Sequence, residues 1–320
     1  MVRVLKPTEE VLREAASLLR KGGLVAFPTE TVYGLGGDAL NPEAVAKIFE
    51  AKERPYFDPL IVHIAKFEDI ERLCSRVDDR ARLLMSRFWP GPLTLVLPKG
   101  DIVPDIVTAG LRTVAIRMPS HPVALALLRE FGGPIAAPSA NRFGFLSPTQ
   151  AEHVKDQLGD RIDLIIDGGP CPIGVESTIL DLSEEPTLLR PGGLPLEEIE
   201  RVIGKVKILT LSDRPRSPGQ LKRHYSPRTP LRIIRGESFV IPIGVKAGLL
   251  AFKGSPRREG FYVVEVLSPS GDLREAACNL FRSLHRLDSA GLDVIYAEAV
   301  PEVGLGRAIM DRLRKAEGLE

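Results

Sequence analysis

The chain predicts an α/β protein built from two units, and three observations carry that prediction. Over the first 200 residues, short β-branched runs alternate with stretches of helical period. From about Gly204 the alternation gives way to a proline-rich basic stretch, after which a shorter alternation begins. At 320 residues the chain is also too long for one comfortable core. The expected division is residues 1–203, a connector over 204–230, and a small α/β unit over 231–320.

Each element has its own signal. Val11, Leu12, Ala15, Leu18 and Leu19 mark one face of a first helix, which Gly22-Gly23 ends. Residues 24–27 (LVAF) read as a buried strand. Asn41-Pro42 is a cap followed by proline at the first helical position, so a helix is expected from there through Lys52. Further strands are expected at 60–65, 93–98, 113–118, 163–167 and 177–182, with helices around 78–88, 122–131 and 149–158 between them. Gly34-Leu35-Gly36-Gly37 reads as a glycine-rich turn, without the spacing of a dinucleotide fingerprint. The sheet and helices of the first unit are complete by residue 203. Residues 214–230, RPRSPGQLKRHYSPRTP, hold four prolines and no apolar periodicity, which predicts an extended, semi-rigid segment. Beyond it come strands in AGLLAF, FYVVEV and DVIYAEAV and helices over 272–289 and 305–316.

Composition narrows the function. Hydrophobic residues make up 44% and charged residues 27%, as in ordinary folded chains. No apolar run approaches the ~18 residues of a membrane span, and MVRVLKPTEE carries charge where a secretory leader is apolar. Cys74, Cys171 and Cys278 lie too far apart in sequence for a zinc knuckle or a disulfide framework. A cytoplasmic protein without membrane partners is expected. Net charge is −6 over residues 1–203, +6 over 204–230 and +1 over 231–320. The chain is therefore not a generally basic nucleic-acid binder.

No GxxxxGK[ST] loop, metal-spaced cluster or GxSxG elbow is present. What remains is polar residues at strand ends. Thr29, Glu30 and Thr31 follow the strand at 24–27. Lys52, Arg54 and Asp58 precede a strand holding His63, and Arg117 closes the strand at 113–118. Ser139, Asn141 and Ser147 surround a proline turn, Ser177 and Thr178 start a strand, and Arg190 precedes a glycine pair whose amides can turn toward an anion. Each has a plain structural explanation, from hydroxyl turns to a salt bridge at Arg117. Together they place hydroxyls and four cations where open α/β sheets bind ligands, which suits an anionic substrate.

The same segments resemble the Sua5/YrdC/YciO family of threonylcarbamoyl-AMP synthases. The matching pieces are PTETVYGLG (28–36), KERPYFDPLIVHI (52–64), FWPGPLTLVL (88–97), VAIRMPSHP (114–122), APSAN (137–141), GVESTILDL (174–182) and LLRPG (188–192). SPGQLKRHYSP (217–227) and GLGRAIMDRLRKA (304–316) resemble the two-domain Sua5 branch. The resemblance implies a YrdC-like twisted open mixed sheet with a concave active-site face, a small Rossmann-like C-terminal domain, and a linker reaching over the site. It also implies synthesis of threonylcarbamoyl-adenylate from L-threonine, bicarbonate or CO2 and ATP, with Mg2+ on the nucleotide and pyrophosphate released. The product would feed a separate tRNA threonylcarbamoyl transferase that makes t6A at position 37.

Carried over by motif, Thr31, His63, Arg117, Ala137 and Ser177 match the family's threonine-site positions. Arg54, Asp58, Thr113, Ser139, Ser147, Arg190 and Tyr225 match its ATP-contacting positions, with Lys52 expected to face phosphate and Asn141 in the same turn. No protein ligand to Mg2+ is assigned. Where the family commonly has KGRPxxNPL, this chain has Glu53 and Asp58. Asp311 replaces a frequent asparagine at a place expected to lie far from the chemistry. Two other classes stay open: an RNA-binding module using the basic segment for weak tRNA contact, and an ATP-sensing regulator. The single Trp, the five Tyr and the net acidic first unit speak against the RNA reading.

Overall fold

The structure, a computed structural model, describes residues 2–209, 217–218, 225–235, 240–254 and 259–318. Its larger sheet contains β1 (Arg3–Leu5), β2 (Val25–Phe27), β3 (Gly34–Asp38), β4 (Ile61–His63), β5 (Leu93–Pro98), β6 (Thr113–Arg117), β7 (Ile135–Ala136), β8 (Leu164–Ile166), β9 (Thr178–Asp181), β10 (Thr187–Arg190) and β11 (Lys207–Ile208). They lie in the order β1-β8-β2-β3-β7-β4-β6-β5-β9-β10-β11, with parallel and antiparallel neighbours mixed. The smaller sheet contains β12 (Leu231–Ile233), β13 (Ala247–Ala251), β14 (Val263–Val266) and β15 (Val294–Ala297), all parallel, in the order β12-β15-β13-β14.

Two sequence readings change. The glycine-rich 34–37 stretch is strand, not turn. Any side chain at Gly36 would put its Cβ 2.8 Å from the Phe27 ring and 2.9 Å from Ile135, so glycine lets β3 fit beside β2 and β7. The larger sheet is also not complete at residue 203, because Lys207–Ile208 adds an edge strand to β10.

Period-two alternation places the site. Val62, Leu95, Ile116, Leu180 and Leu188 face the main core, against helices such as Pro42–Lys52 and Asp79–Phe88. Their neighbours Ile61, Val96, Ala115, Ile179 and Leu189 face the other way and cluster with Leu209 instead. His63 and Arg117 fall on that second face by the same alternation.

Local chemistry fixes the loops around it. Asn41 Oδ1 accepts from the amides of Glu43 (3.0 Å) and Ala44 (3.4 Å), and Pro42 opens the helix. That helix ends at Glu53, in the left-handed region at φ +54°. This is where the commoner family sequence has glycine. Here the glutamate's carboxylate reaches Arg142 and Arg161, each at 2.6 Å.

The two units share one apolar cluster. Val32, Leu146 and Val175 of the larger unit pack with Tyr225 and with Leu280, Phe281, Ile309 and Leu313 of the smaller. Gly174, at φ +79°, lies so close to helix Leu273–Asp288 that a Cβ there would meet the Ala277 carbonyl at 2.5 Å.

Candidate active site

A pocket opens on the face that carries His63 and Arg117. All five residues matched to the threonine site line it: Thr31, His63, Arg117, Ala137 and Ser177. Of the nucleotide set, Arg54, Ser139, Arg190 and Tyr225 line it, joined by Pro218 of the connector.

Thr29 organises the first wall. Its hydroxyl donates to the Val32 carbonyl at 2.6 Å, accepts from the Val32 amide at 3.2 Å and meets the Thr31 hydroxyl at 2.8 Å. Arg117 Nη1 donates to Thr31 Oγ1 at 2.9 Å and Nε to the Gly91 carbonyl at 3.3 Å, while Nη2 pairs with Glu30 Oε1 at 2.6 Å. Glu30 Oε2 in turn accepts from the Ser120 amide. Arg117 therefore has its structural salt bridge and still borders the pocket. Burial, then the charge of Arg117, holds the His63 imidazole down to about 3, so it is neutral near pH 7.

Ser177 forms the facing wall. Its hydroxyl lies 2.7 Å from that of Thr94 and accepts from Arg190 Nη2 at 3.1 Å, and its carbonyl accepts from Arg190 Nε and Nη2. Of the glycine pair after Arg190, Gly193 does not present its amide to an anion: it donates to the Glu176 carbonyl at 2.8 Å, and a Cβ at Gly192 would strike the Glu176–Thr178 backbone at 2.4 Å.

The other nucleotide-matched residues stand outside the pocket lining. Lys52, 1% exposed, donates to the carbonyls of Ser139 (2.6 Å) and Asn141 (2.5 Å). Asn141 Nδ2 donates to the Arg142 and Phe145 carbonyls, so this pair stiffens the turn that presents Ser139. Burial, then Arg54, pushes the Lys52 ammonium well below its ordinary range. Asp58, fully buried, pairs with Arg54 at 2.9 Å, and Arg54 also donates to the carbonyls of Asp58 and Pro59. Ser147 donates to Glu176. Thr113 opens β6, four residues before Arg117 and on the same face of the strand.

Sequence reasoning missed Thr94 and Glu176 as site residues. Glu30 was noted beside Thr29 and Thr31 but given no role, and a buried arginine's need for a counter-charge was the available signal. Nothing local marks Glu176, whose partner Arg312 lies 136 residues away. Tyr225 is 1% exposed and adopts φ +61°, a strained conformation for a tyrosine; Arg312 lies 5.0 Å from its ring centroid. Lys222 and Arg223 lie outside the described residues.

With this geometry in place, comparison with known proteins decides the family. Residues 17–192 match the Sua5_yciO_yrdC family profile, described as "Telomere recombination". Residues 194–318 match that of the "Threonylcarbamoyl-AMP synthase, C-terminal domain". The chain belongs to the Sua5/YrdC/YciO family. It is 49% identical over 319 residues to the threonylcarbamoyl-AMP synthase of Pyrococcus abyssi, spanning 96% of this chain and 94% of the relative. To the Bacillus subtilis enzyme of that name it is 48% identical, spanning 98% and 95%. The crystal structure of P. abyssi Sua5 complexed with L-threonine superposes with a TM-score of 0.92, at 46% identity and covering 99% and 98% of the two chains. The Sua5 architecture, an open mixed sheet followed by a second α/β unit, is thus this chain's architecture.

Proposed function

We infer that the protein makes L-threonylcarbamoyl-adenylate from L-threonine, bicarbonate or CO2 and ATP, the first step of tRNA t6A modification. The observation that carries the reading is the single pocket lining that joins all five threonine-matched residues to Arg54, Ser139, Arg190 and Tyr225.

The chemistry suits that lining. Threonine's free amine adds to the carbon of CO2 and loses a proton, giving a carbamate. A carbamate oxygen then attacks the α-phosphorus, the bond from that phosphorus to the bridging oxygen breaks, and pyrophosphate leaves. Little covalent work falls to the protein, so positioning and charge dominate. Arg117, fixed by Glu30 and the Gly91 carbonyl, presents its guanidinium to the amino-acid carboxylate. Neutral His63 orients the substrate without adding a second positive charge. Arg54 and Arg190 offset phosphate charge, while Asp58 holds Arg54 from behind, Lys52 and Asn141 stiffen the turn that presents Ser139, and Ser147 donates to Glu176.

Mg2+ belongs with ATP in this reading. Among the described residues no group of three His, Cys, Asp or Glu side chains is placed to hold a metal ion. The nearby carboxylates Glu30, Asp58 and Glu176 are each tied to a guanidinium.

A covering role for the connector fits this chemistry, because solvent would hydrolyse a labile carbamate: of its described residues, Ser217 is fully buried and Pro218 and Tyr225 line the pocket. The adenylate is passed on to a separate tRNA-modifying transferase. The test is product analysis with ¹³C-bicarbonate. The reading expects a labelled threonyl-carbamoyl adenylate and pyrophosphate in equal amounts. ATP cleavage that ignores threonine contradicts it.

A further inference from the structure

Arg312 is the largest fully buried side chain described, 0% exposed, yet it belongs to the last helix of the C-terminal unit, Gly306–Glu317. It leaves that unit to reach the pocket wall. Nε pairs with Glu176 Oε2 at 2.9 Å, Nη1 donates to the Pro191 carbonyl at 2.7 Å, and the guanidinium carbon lies 5.0 Å from the Tyr225 ring centroid. Pro191 follows Arg190, and Glu176 precedes Ser177. Asp311, expected to be remote from the chemistry, braces the group: its Oδ2 accepts from Arg312 Nη1 at 2.7 Å and its Oδ1 from Lys315 at 2.7 Å.

The charges make this arrangement informative. Glu176 borders the pocket and is 4% exposed. Burial alone would favour its neutral form, but Arg312, then Arg190 and the Ser147 hydroxyl, outweigh that and keep it ionised. Arg190 likewise senses Glu176. Two arginines thus bear on one buried carboxylate, Arg312 by direct contact and Arg190 from the adjoining Ser177. The side-chain bond is made by the one from the C-terminal unit. Arg190 is left on the Ser177 carbonyl and hydroxyl, at the pocket edge.

We propose that Arg312 is a positioning residue: by occupying Glu176 it keeps that carboxylate from capturing Arg190, so the C-terminal unit sets the charge of the nucleotide-facing wall. This gives that unit a part in the reaction without a ligand of its own. It rests on the synthase reading, and the test separates the two.

The full-length protein is assayed for threonine-dependent pyrophosphate release, with ATP and threonine varied in turn. Wild type must turn over; if it does not, the synthase reading fails before Arg312 is tested. Arg312→Met is expected to raise KM for ATP at least about tenfold while threonine affinity, read by calorimetry, changes less than about threefold. Arg312→Lys, keeping the charge, recovers part of the loss. The deciding variant is Arg312→Met with Glu176→Gln. With the carboxylate gone nothing of full negative charge draws Arg190 toward position 176, so KM for ATP should return toward wild type. A purely architectural role predicts the opposite, with both substrates affected alike and the double variant no better than Arg312→Met. Either that pattern or an unchanged KM for ATP in Arg312→Met overturns the proposal.

Discussion

At Arg117 the guanidinium is fixed on three sides, by Glu30, Thr31 and the Gly91 carbonyl, before any substrate arrives. Such preorganisation depends on a planar fork, which lysine lacks. Arg117→Lys should therefore lose threonine binding by about tenfold or more with the fold intact by circular dichroism; unchanged affinity in calorimetry would leave Arg117 with its salt bridge alone. His63 makes a claim about pH. Its imidazole titrates at about 3 in the folded chain against an ordinary 6.5. Below pH 6.5 the unfolded chain takes up a proton that the folded chain refuses. The stability it contributes is thus full above pH 6.5 and is lost as pH falls toward 3, at a slope approaching about 1.4 kcal/mol per pH unit. His153, also held near 3 by burial and then by His285, acts in the same direction. Urea unfolding at pH 7, 6 and 5 should show the decline, and His63→Gln should flatten it; an equal slope in the variant would contradict the assignment. The residue types at the site were legible from strand-end position and motif. Their partners Thr94 and Glu176, and the pairing of Glu30 with Arg117, were not, because each bond joins residues whose proximity only the folded sheet creates.

Among the elements, those with caps and periodicity were the legible ones. Asn41-Pro42 marks a helix start that the structure places at Pro42, since Asn41 accepts first-turn amides, and the helix expected around 78–88 runs Asp79–Phe88. β1, β3, β7, β10, β11 and β12 escaped. Two of them are two-residue pairings with no room for a pattern, and β3 is glycine-rich because bulk there would strike Phe27 and Ile135. Gly36→Ala should cost roughly 1–3 kcal/mol in chemical denaturation, the usual cost of overpacking. Glu53 gives a second test at this scale. Its left-handed backbone favours glycine by roughly 1 kcal/mol, against two ion pairs that solvent screens. Glu53→Gly should therefore melt above Glu53→Ala, reversing the order expected within a helix. If the alanine variant is the more stable, the strain at this turn is not what its geometry implies.

Over the whole molecule, the proline-rich connector suggests a division into units but carries no sign of contact between them. A sequence shows that residues 214–230 lack periodicity; it does not show that Val32, Leu146 and Val175 pack with Phe281 and Leu313. Removing residues 204–320 would strip β11 from the sheet edge, uncover those three side chains and leave Glu176 without Arg312. The truncated protein should be both less stable and nearly inactive, whereas an inert spacer followed by an independent domain predicts neither. Tyr225→Ala, at the connector's buried end, should weaken use of ATP more than of threonine. Above all of these stands the claim that one pocket joins threonine, CO2 and the α-phosphate of ATP. The most direct measurement is isotope exchange between labelled pyrophosphate and ATP, run with and without threonine and bicarbonate. The account predicts exchange only when both are present, at a rate that falls when Arg117 or Arg190 is replaced. Exchange that proceeds without threonine or without bicarbonate would contradict it.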